Sequence, residues 1–317
     1  MNIGLDMMGG DLAPLEAVKG IQLYLQSKLI EANIFCIGDE AIVKPLIEEQ
    51  FVSSPYLHLV HAPEVIGYHE HPTKALKEKQ KSSIAIGFYL LATGKIDAFI
   101  SAGNTGAMLV GAMYSIKALP GVSRPTVSTI VPKLSGKTGL LLDVGLNADC
   151  KPEQLNQFAL LGSLYAQHIL NITNPKVGLM NVGEEEGKGN ILAQATYPLL
   201  KDNSAINFIG NIEGRDFFND KADVMVCDGF TGNIILKMAE TLYEVAHSRG
   251  FGKDDYFNRF HYENYGGSPV LGVAKPVIIG HGISTAIAFK NMIDLAEKMI
   301  ETDLCGKMKT MFETVAN

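Results

Sequence analysis

Lys188 stands in the stretch Asn181-Val-Gly-Glu-Glu-Glu-Gly-Lys-Gly-Asn190. Glycines let the backbone approach a bound group closely, and the lysine offers a compact positive charge. An apolar run at 176–180 leads in like a buried strand, and an apolar-periodic segment at 191–200 follows like a helix. The stretch is therefore a strand-to-helix turn. In open α/β sheets ligands bind outside the carboxyl ends of strands, and free N–H groups at a helix start attract anions. The predicted chemistry is anion handling, with Lys188 as the charge and Asn181, Gly183 and Gly187 shaping the loop. Glu184, Glu185 and Glu186 oppose it, because carboxylates beside an anion repel it. At least Glu185 is expected to turn to solvent or pair with a base.

The same device recurs along the chain. Ser101-Ala-Gly-Asn-Thr-Gly-Ala107 follows a strand at 95–101 and opens a helix. Asn104 and Thr105 stand at its start, able to cap it or to bind a ligand oxygen, with Gly106 beside them. Leu142-Asp-Val-Gly-Leu-Asn147 offers Asp143 and Asn147 at another strand end. Asp228-Gly-Phe-Thr-Gly-Asn233 places Asp228 and Asn233 around a helix start, with Gly229 and Gly232 clearing room. At the first strand end, Asp6-Met-Met-Gly-Gly-Asp11 reads either as plain turn chemistry at Gly9 and Gly10 or as Asp6 and Asp11 lining a ligand crevice. His281, after a strand at 276–280, is a general acid or base, or a core histidine.

Several chemistries are excluded. Gly136-Lys-Thr138 ends like a nucleotide-binding P-loop, but the pattern needs glycine at 131, where Val131 stands. In the Lys188 loop, Gly183 and Gly187 are one residue too close and Gly189 replaces the hydroxyl. No nucleophile elbow or partnered cysteine is present. His61, His69 and His71 lack a convincing third ligand, so the reading is a surface loop without metal, and no cofactor is called for.

These turns must be positioned by a strand-helix alternation. Strands are predicted at 2–6, 34–37, 57–60 and 95–101, with helices from Pro14 to about 30, at 41–50 and at 73–93. Residues 126–131 and 138–142 read as a hairpin, and 151–170 as a helix. Strands at 206–209 and 224–227 follow. Residues 265–272 read as a tight loop, and the terminal helix as 285–301 or beyond. The whole chain, 1–317, is taken as one α/β unit with a short helical excursion at about 241–264. With 27 basic and 34 acidic residues the net charge is −7, which argues against nucleic acid as a partner. Four separated cysteines, no leader pattern and no long apolar run predict a soluble, cytoplasmic protein. Lys74, Lys77, Lys79 and Lys81 crowd one segment; on a continuous helix 74, 77 and 81 share a face, either solvated or a dock for an acidic partner.

The motifs from Asp6 to Asp11, from Ser101 to Ala107, from Asn181 to Gly189 and from Asp228 to Asn233, with Tyr265-Gly-Gly-Ser-Pro-Val-Leu-Gly272, resemble in order and over the full length the PlsX phosphate acyltransferases of bacterial phospholipid synthesis. Each is weak alone; five in order are specific. The resemblance implies transfer of a long-chain acyl group from acyl carrier protein (ACP) to inorganic phosphate, giving acyl phosphate. It implies a three-layer α/β/α sandwich with a large, mostly parallel, partly antiparallel sheet, related to isocitrate and isopropylmalate dehydrogenases. It also implies a homodimer, coupled in function to a membrane glycerol-3-phosphate acyltransferase. Carried over residue by residue, Lys188 binds phosphate, Asn233 and Asn104 are neutral donors, and Asp228 and Asp143 orient groups or accept a proton. Docking of acidic ACP falls to Lys74, Lys77, Lys81, Arg249 and Arg259. The family's longer basic and apolar hairpin before the Tyr-Gly-Gly motif is short here, with only Arg249, Lys253 and Arg259, which weakens peripheral residence at the inner membrane face by that route. The rival reading is a phosphotransacetylase-like enzyme using acyl-CoA.

Overall fold

The computed structural model describes residues 1–27, 32–50, 54–251 and 254–315. In chain order the elements are β1 (Asn2–Asp6), α1 (Leu15–Ser27), β2 (Asn33–Gly38), α2 (Glu40–Glu49), β3 (Leu57–His61), α3 (Pro72–Glu78), α4 (Ser83–Ala92), β4 (Ala98–Ser101) and α5 (Thr105–Gly111). The hairpin β5 (Thr126–Pro132) and β6 (Thr138–Leu142) follows, then α6 (Pro152–His168), β7 (Lys176–Met180), α7 (Ile191–Lys201), β8 (Asn207–Ile212) and β9 (Val224–Val226). The chain ends with α8 (Gly229–Ala246), α9 (Asp255–Asn258), β10 (Gly267–Leu271), β11 (Val277–Gly280), α10 (Ala286–Glu301) and α11 (Leu304–Val315). The fold is α/β, as the alternation of apolar strands and amphipathic helices predicts.

Two compact units are present. The first holds Met1–Ala118 and Tyr262–Cys305, the second Leu119–His261 and Gly306–Asn317. In the first, the strand order is β3-β2-β1-β4-β11-β10, parallel except for β10 against β11. β1, β4 and β11 are buried nearly throughout, which is why their sequences are continuous apolar runs rather than alternating ones. Helix α1 lies on α10 so closely that a side chain on Gly20 would reach within 2.5 Å of Phe289. The buried Tyr24 hydroxyl donates to Glu297 at 2.5 Å and accepts from the Ala32 amide at 3.0 Å. In the second unit the order is β5-β6-β9-β7-β8, with the β5–β6 hairpin antiparallel and the rest parallel.

Four expectations change. The helix foreseen at 73–93 is broken. The Lys79 amide closes α3 on the Ala75 carbonyl, and Ser82 starts α4 by accepting from the Ala85 amide while donating to the Lys79 carbonyl at 2.7 Å. Glu64 takes the Lys81 amide at 2.9 Å and fixes the break. Lys81 therefore leaves the helix that carries Lys74 and Lys77, and the three share no helical face. The loop foreseen at 265–272 is largely strand β10, because Pro269, Val270 and Leu271 are buried against β11. Strand β8 runs past 209 to Ile212, accommodated by a register shift against β7 and by Gly210 at φ +95°. Strand β4 begins at Ala98 instead of 95. The foreseen end of the first helix near 30 lies outside the described residues.

One buried cation belongs to the frame of the second unit. Lys133 is 2% exposed, and its ammonium donates to the Phe217 carbonyl at 2.8 Å. Burial lowers its pKa from 10.5 to about 8, against the pull of Asp223 and Asp220. Between these two values the unfolded chain holds a proton that the native protein has lost, so this group makes stability rise with pH across that window. At full development the gain is about 3 kcal/mol. Chemical denaturation of the wild type and Lys133→Met at pH 7 and pH 10 should show the wild type gaining on the variant at the higher pH; a constant difference would contradict it.

Candidate active site

In the second unit, β6, β9 and β7 lie side by side and parallel, so their C-terminal loops open at one end of the sheet. Asp143, fully buried after β6, organises the first loop. Its Oδ1 accepts from the amides of Val127 (3.3 Å), Gly145 (3.3 Å) and Leu146 (3.1 Å), and its Oδ2 from the Asn147 amide and Nδ2 (both 2.7 Å). Asn147 Nδ2 also donates to the Pro125 carbonyl at 2.8 Å. Both side chains are thus committed to loop shape.

The second loop packs directly on the first. Gly229 donates its amide to the Asn147 carbonyl at 2.8 Å. A side chain on Gly232 would lie 1.8 Å from the Asp143 carbonyl oxygen, so only glycine permits this approach. Asp228 caps α8, accepting from the Thr231 amide at 2.8 Å and its hydroxyl at 3.0 Å. Asn233, one turn into α8, is exposed beside Gly145, and its side-chain amide makes no hydrogen bond among the described residues. Burial pushes the nearby Cys150 thiol up to about 11, which removes it as an activated nucleophile.

The third loop carries Lys188. Asn181 closes it by accepting from the Val182 amide at 2.8 Å and donating to the Lys188 carbonyl at 3.0 Å. The Lys188 side chain lies over Gly183, its Cγ 3.0 Å from where a Cβ would stand there, while Gly187 is open to solvent. The three glutamates sort themselves out. Glu184 pairs with Lys221 at 2.6 Å and Glu186 with Lys201 at 2.7 Å, while Glu185 is exposed. Lys221 also holds Asp216 at 2.9 Å. The exposed Lys188 ammonium enters no ion pair among the described residues. Lys201 and Lys221, 15 and 37 residues from their glutamates, had no local sequence signal.

The first unit gathers its own strand-end loops. Asp6 is 1% exposed; it accepts from Ser101 Oγ at 2.6 Å and from the Met8 amide at 2.9 Å. Burial raises its pKa, and the hydrogen bonds from Ser101 and Ser83 counter that. Gly9 lies on Gly103, where a side chain would meet the Gly103 amide at 2.6 Å, and Gly10 takes φ +115°. Asn104 caps α5 through the Ala107 amide (2.9 Å), and its Nδ2 donates to the carbonyls of Gly67 (2.9 Å), Tyr68 (3.3 Å) and Glu70 (3.3 Å). Its amide pins the loop at 67–70, a role sequence alone did not suggest. Thr105 is exposed, and Gly106 packs on Pro72. His281 is exposed, its carbonyl receiving the Ser284 amide and hydroxyl. Asp6, Asn104, Thr105 and His281 therefore belong to one unit, and Asp143, Asn147, Lys188, Asp228 and Asn233 to the other.

Of the docking candidates, Lys77 and Lys81 are exposed and unpaired among the described residues, and Lys74 lies 4.0 Å from Glu78. Arg259 is engaged elsewhere: its guanidinium donates to the Lys133 carbonyl at 3.0 Å and the Lys137 carbonyl at 2.5 Å, tying down the β5–β6 hairpin. Arg249 is exposed, and Lys253 lies outside the described residues. Among the described residues no cluster of three metal-ligating side chains occurs, and no helix is long and apolar enough to cross a membrane.

A family model described as "Fatty acid synthesis protein" matches residues 1–248 and 253–307. A phosphate acyltransferase of Dictyoglomus turgidum is 43% identical over 326 residues, covering 97% of this chain and 96% of the relative. The chain belongs to the phosphate acyltransferase family. A phosphate acyltransferase of Aquifex aeolicus is similar over 99% of this chain and 98% of its own, at 41% identity. Among solved structures, the EutD phosphotransacetylase of Staphylococcus aureus superposes with a TM-score of 0.64 at 16% identity, covering 94% of each chain. The 4-hydroxythreonine-4-phosphate dehydrogenase of Klebsiella pneumoniae gives 0.54 at 12% identity, covering 94% of this chain and 97% of that one. These two likenesses are of fold, and they agree with the dehydrogenase-like architecture expected for this phosphate acyltransferase.

Asp143→Asn in this acyltransferase would turn an amide N–H₂ toward backbone N–H donors. It should lower stability by about 2–3 kcal/mol in a denaturant titration, through donors left unsatisfied. A loss below about 0.5 kcal/mol would show that the loop does not depend on that carboxylate.

Proposed function

We propose that this phosphate acyltransferase moves a long-chain acyl group from acyl carrier protein to inorganic phosphate, giving an acyl phosphate for phospholipid synthesis. The observation that carries the reading is the unpaired Lys188, in a loop where Glu184 and Glu186 are neutralised by other lysines. Two of the three loop carboxylates are thereby matched, and Lys188 is left as the loop's cation for an anion to meet, with Glu185 the one loop carboxylate outside an ion pair among the described residues. Phosphate is itself the nucleophile, so no activated serine or cysteine is required. A phosphate oxygen bonds to the thioester carbonyl carbon, an oxyanion forms, and the carbon–sulfur bond breaks. Net, dihydrogen phosphate and thioester become acyl phosphate and thiol, the phosphate's proton ending on sulfur.

In this scheme Lys188 holds phosphate and offsets its charge, and Asn233 donates to phosphate or to the oxyanion. Asp228 holds the start of the helix that carries Asn233. Asp143, with Asn147, sets the loop against which both lie. Within the first unit Asn104 is a positioning residue, its amide spent on the loop at 67–70, while Thr105, exposed and with no side-chain hydrogen bond among the described residues, and the exposed His281 are that unit's own candidates for a substrate contact. The exposed Lys74, Lys77 and Lys81 meet the acidic carrier protein, with Arg249 a further contact. The proposed homodimer has a candidate face on α8, which exposes Phe230, Ile234, Met238, Leu242 and Val245 along one side. The product would pass to a membrane glycerol-3-phosphate acyltransferase, the enzyme itself remaining in the cytoplasm or at the membrane's inner face.

The assay is phosphate-dependent release of free thiol from palmitoyl-ACP, without metal or nucleotide. Lys188→Ala should lower kcat/KM for phosphate by about 10²-fold or more, with an unchanged melting temperature because the side chain is exposed. Near wild-type turnover in that variant would remove the scheme. Turnover of palmitoyl-CoA but not palmitoyl-ACP would replace the donor.

A further inference from the structure

Among the described residues, Val182 and Ile191 are the most exposed of the large apolar side chains, at 81% and 88%. Both border the Lys188 loop. Val182 precedes Gly183, over which the Lys188 stem lies, and its amide is held by Asn181, the residue that also holds the Lys188 carbonyl. Ile191 opens α7 directly after Asn190, whose side chain caps the helix through the Ala193 amide at 2.8 Å. The cap leaves Ile191 facing solvent. An unpaired ammonium thus stands on a short, closed loop with an uncovered apolar side chain at each end.

An acyl phosphate joins an anionic head to an apolar chain through a single carbonyl carbon. A cation bordered by apolar side chains is complementary to both halves at once, whereas a free anion would use only the lysine. We infer that Val182 and Ile191 are specificity-determining residues that contact the acyl chain beside the phosphate held by Lys188. The inference rests on the proposed acyl transfer to phosphate. Apolar side chains that contact a chain discriminate by length, since each methylene they cover adds to affinity.

The test compares kcat/KM for palmitoyl-ACP and butyryl-ACP in the wild type and in the full-length double variant Val182→Ser, Ile191→Ser. The palmitoyl-to-butyryl ratio should fall about tenfold or more, through KM rather than kcat, because a contact made equally in ground and transition states acts on binding. The same replacement at the exposed Ile42 should leave the ratio alone. An unchanged ratio, or an equal loss on both donors, overturns the inference while leaving the transfer reaction standing. So does an unchanged ratio accompanied by a shift in sedimentation or in binding to phospholipid vesicles, which would assign the pair to a second copy or a lipid surface. A wild type without phosphate-dependent thiol release from either donor refutes the functional reading, and the inference falls with it.

Discussion

The second unit depends on one carboxylate. Asp143 gathers backbone amides from Val127, Gly145, Leu146 and Asn147, and so converts the end of β6 into a rigid turn. Gly232 then rests on the Asp143 carbonyl, which sets where α8 begins and where Asn233 stands. A buried carboxylate deprived of such donors is costly, so the loop and its carboxylate require each other. The groups with most contact to the protein are in this way the least available to a substrate. Lys188 and Asn233, which have little, are the ones proposed to meet it.

Charge is managed by the same division of labour. Seven ionisable groups crowd the β7 loop and its surroundings: Glu184 and Asp216 share Lys221, Glu186 pairs with Lys201, and Glu185 and Lys188 stand outside ion pairs among the described residues. These exposed pairs add little to stability. Their effect is on the local field, since two of the three loop carboxylates are matched and Lys188 is left opposed within the loop by Glu185 alone. In the first unit Asp6 plays a part like that of Asp143, buried and holding the β1 loop through the Met8 amide and Ser101.

Much of this was legible in the residues. Strands buried on both faces announce themselves as apolar runs, and the glycine-and-amide clusters marked the loops at their ends, that of Lys188 among them. The β5–β6 hairpin was legible because two strand-like runs flank a short turn. What local pattern cannot carry is a partner distant in sequence. The helical period through 73–93 is real, but Ser82 and Glu64 together end one helix and start another. Asn104 looked like a cap with a spare amide; the loop at 67–70 takes that amide. Arg259 looked like surface charge and instead ties down a hairpin. The repulsion of an anion expected from the three glutamates is reduced to that of Glu185 only when Lys201 and Lys221 are seen beside the other two.

The central claim is that phosphate, held at Lys188, is the acyl acceptor. Phosphorus-31 NMR of the protein with palmitoyl-ACP and inorganic phosphate tests it directly. The account predicts an acyl phosphate resonance that grows in equal amount with free carrier-protein thiol. Thiol release accompanied by free fatty acid, with no acyl phosphate formed, would contradict it.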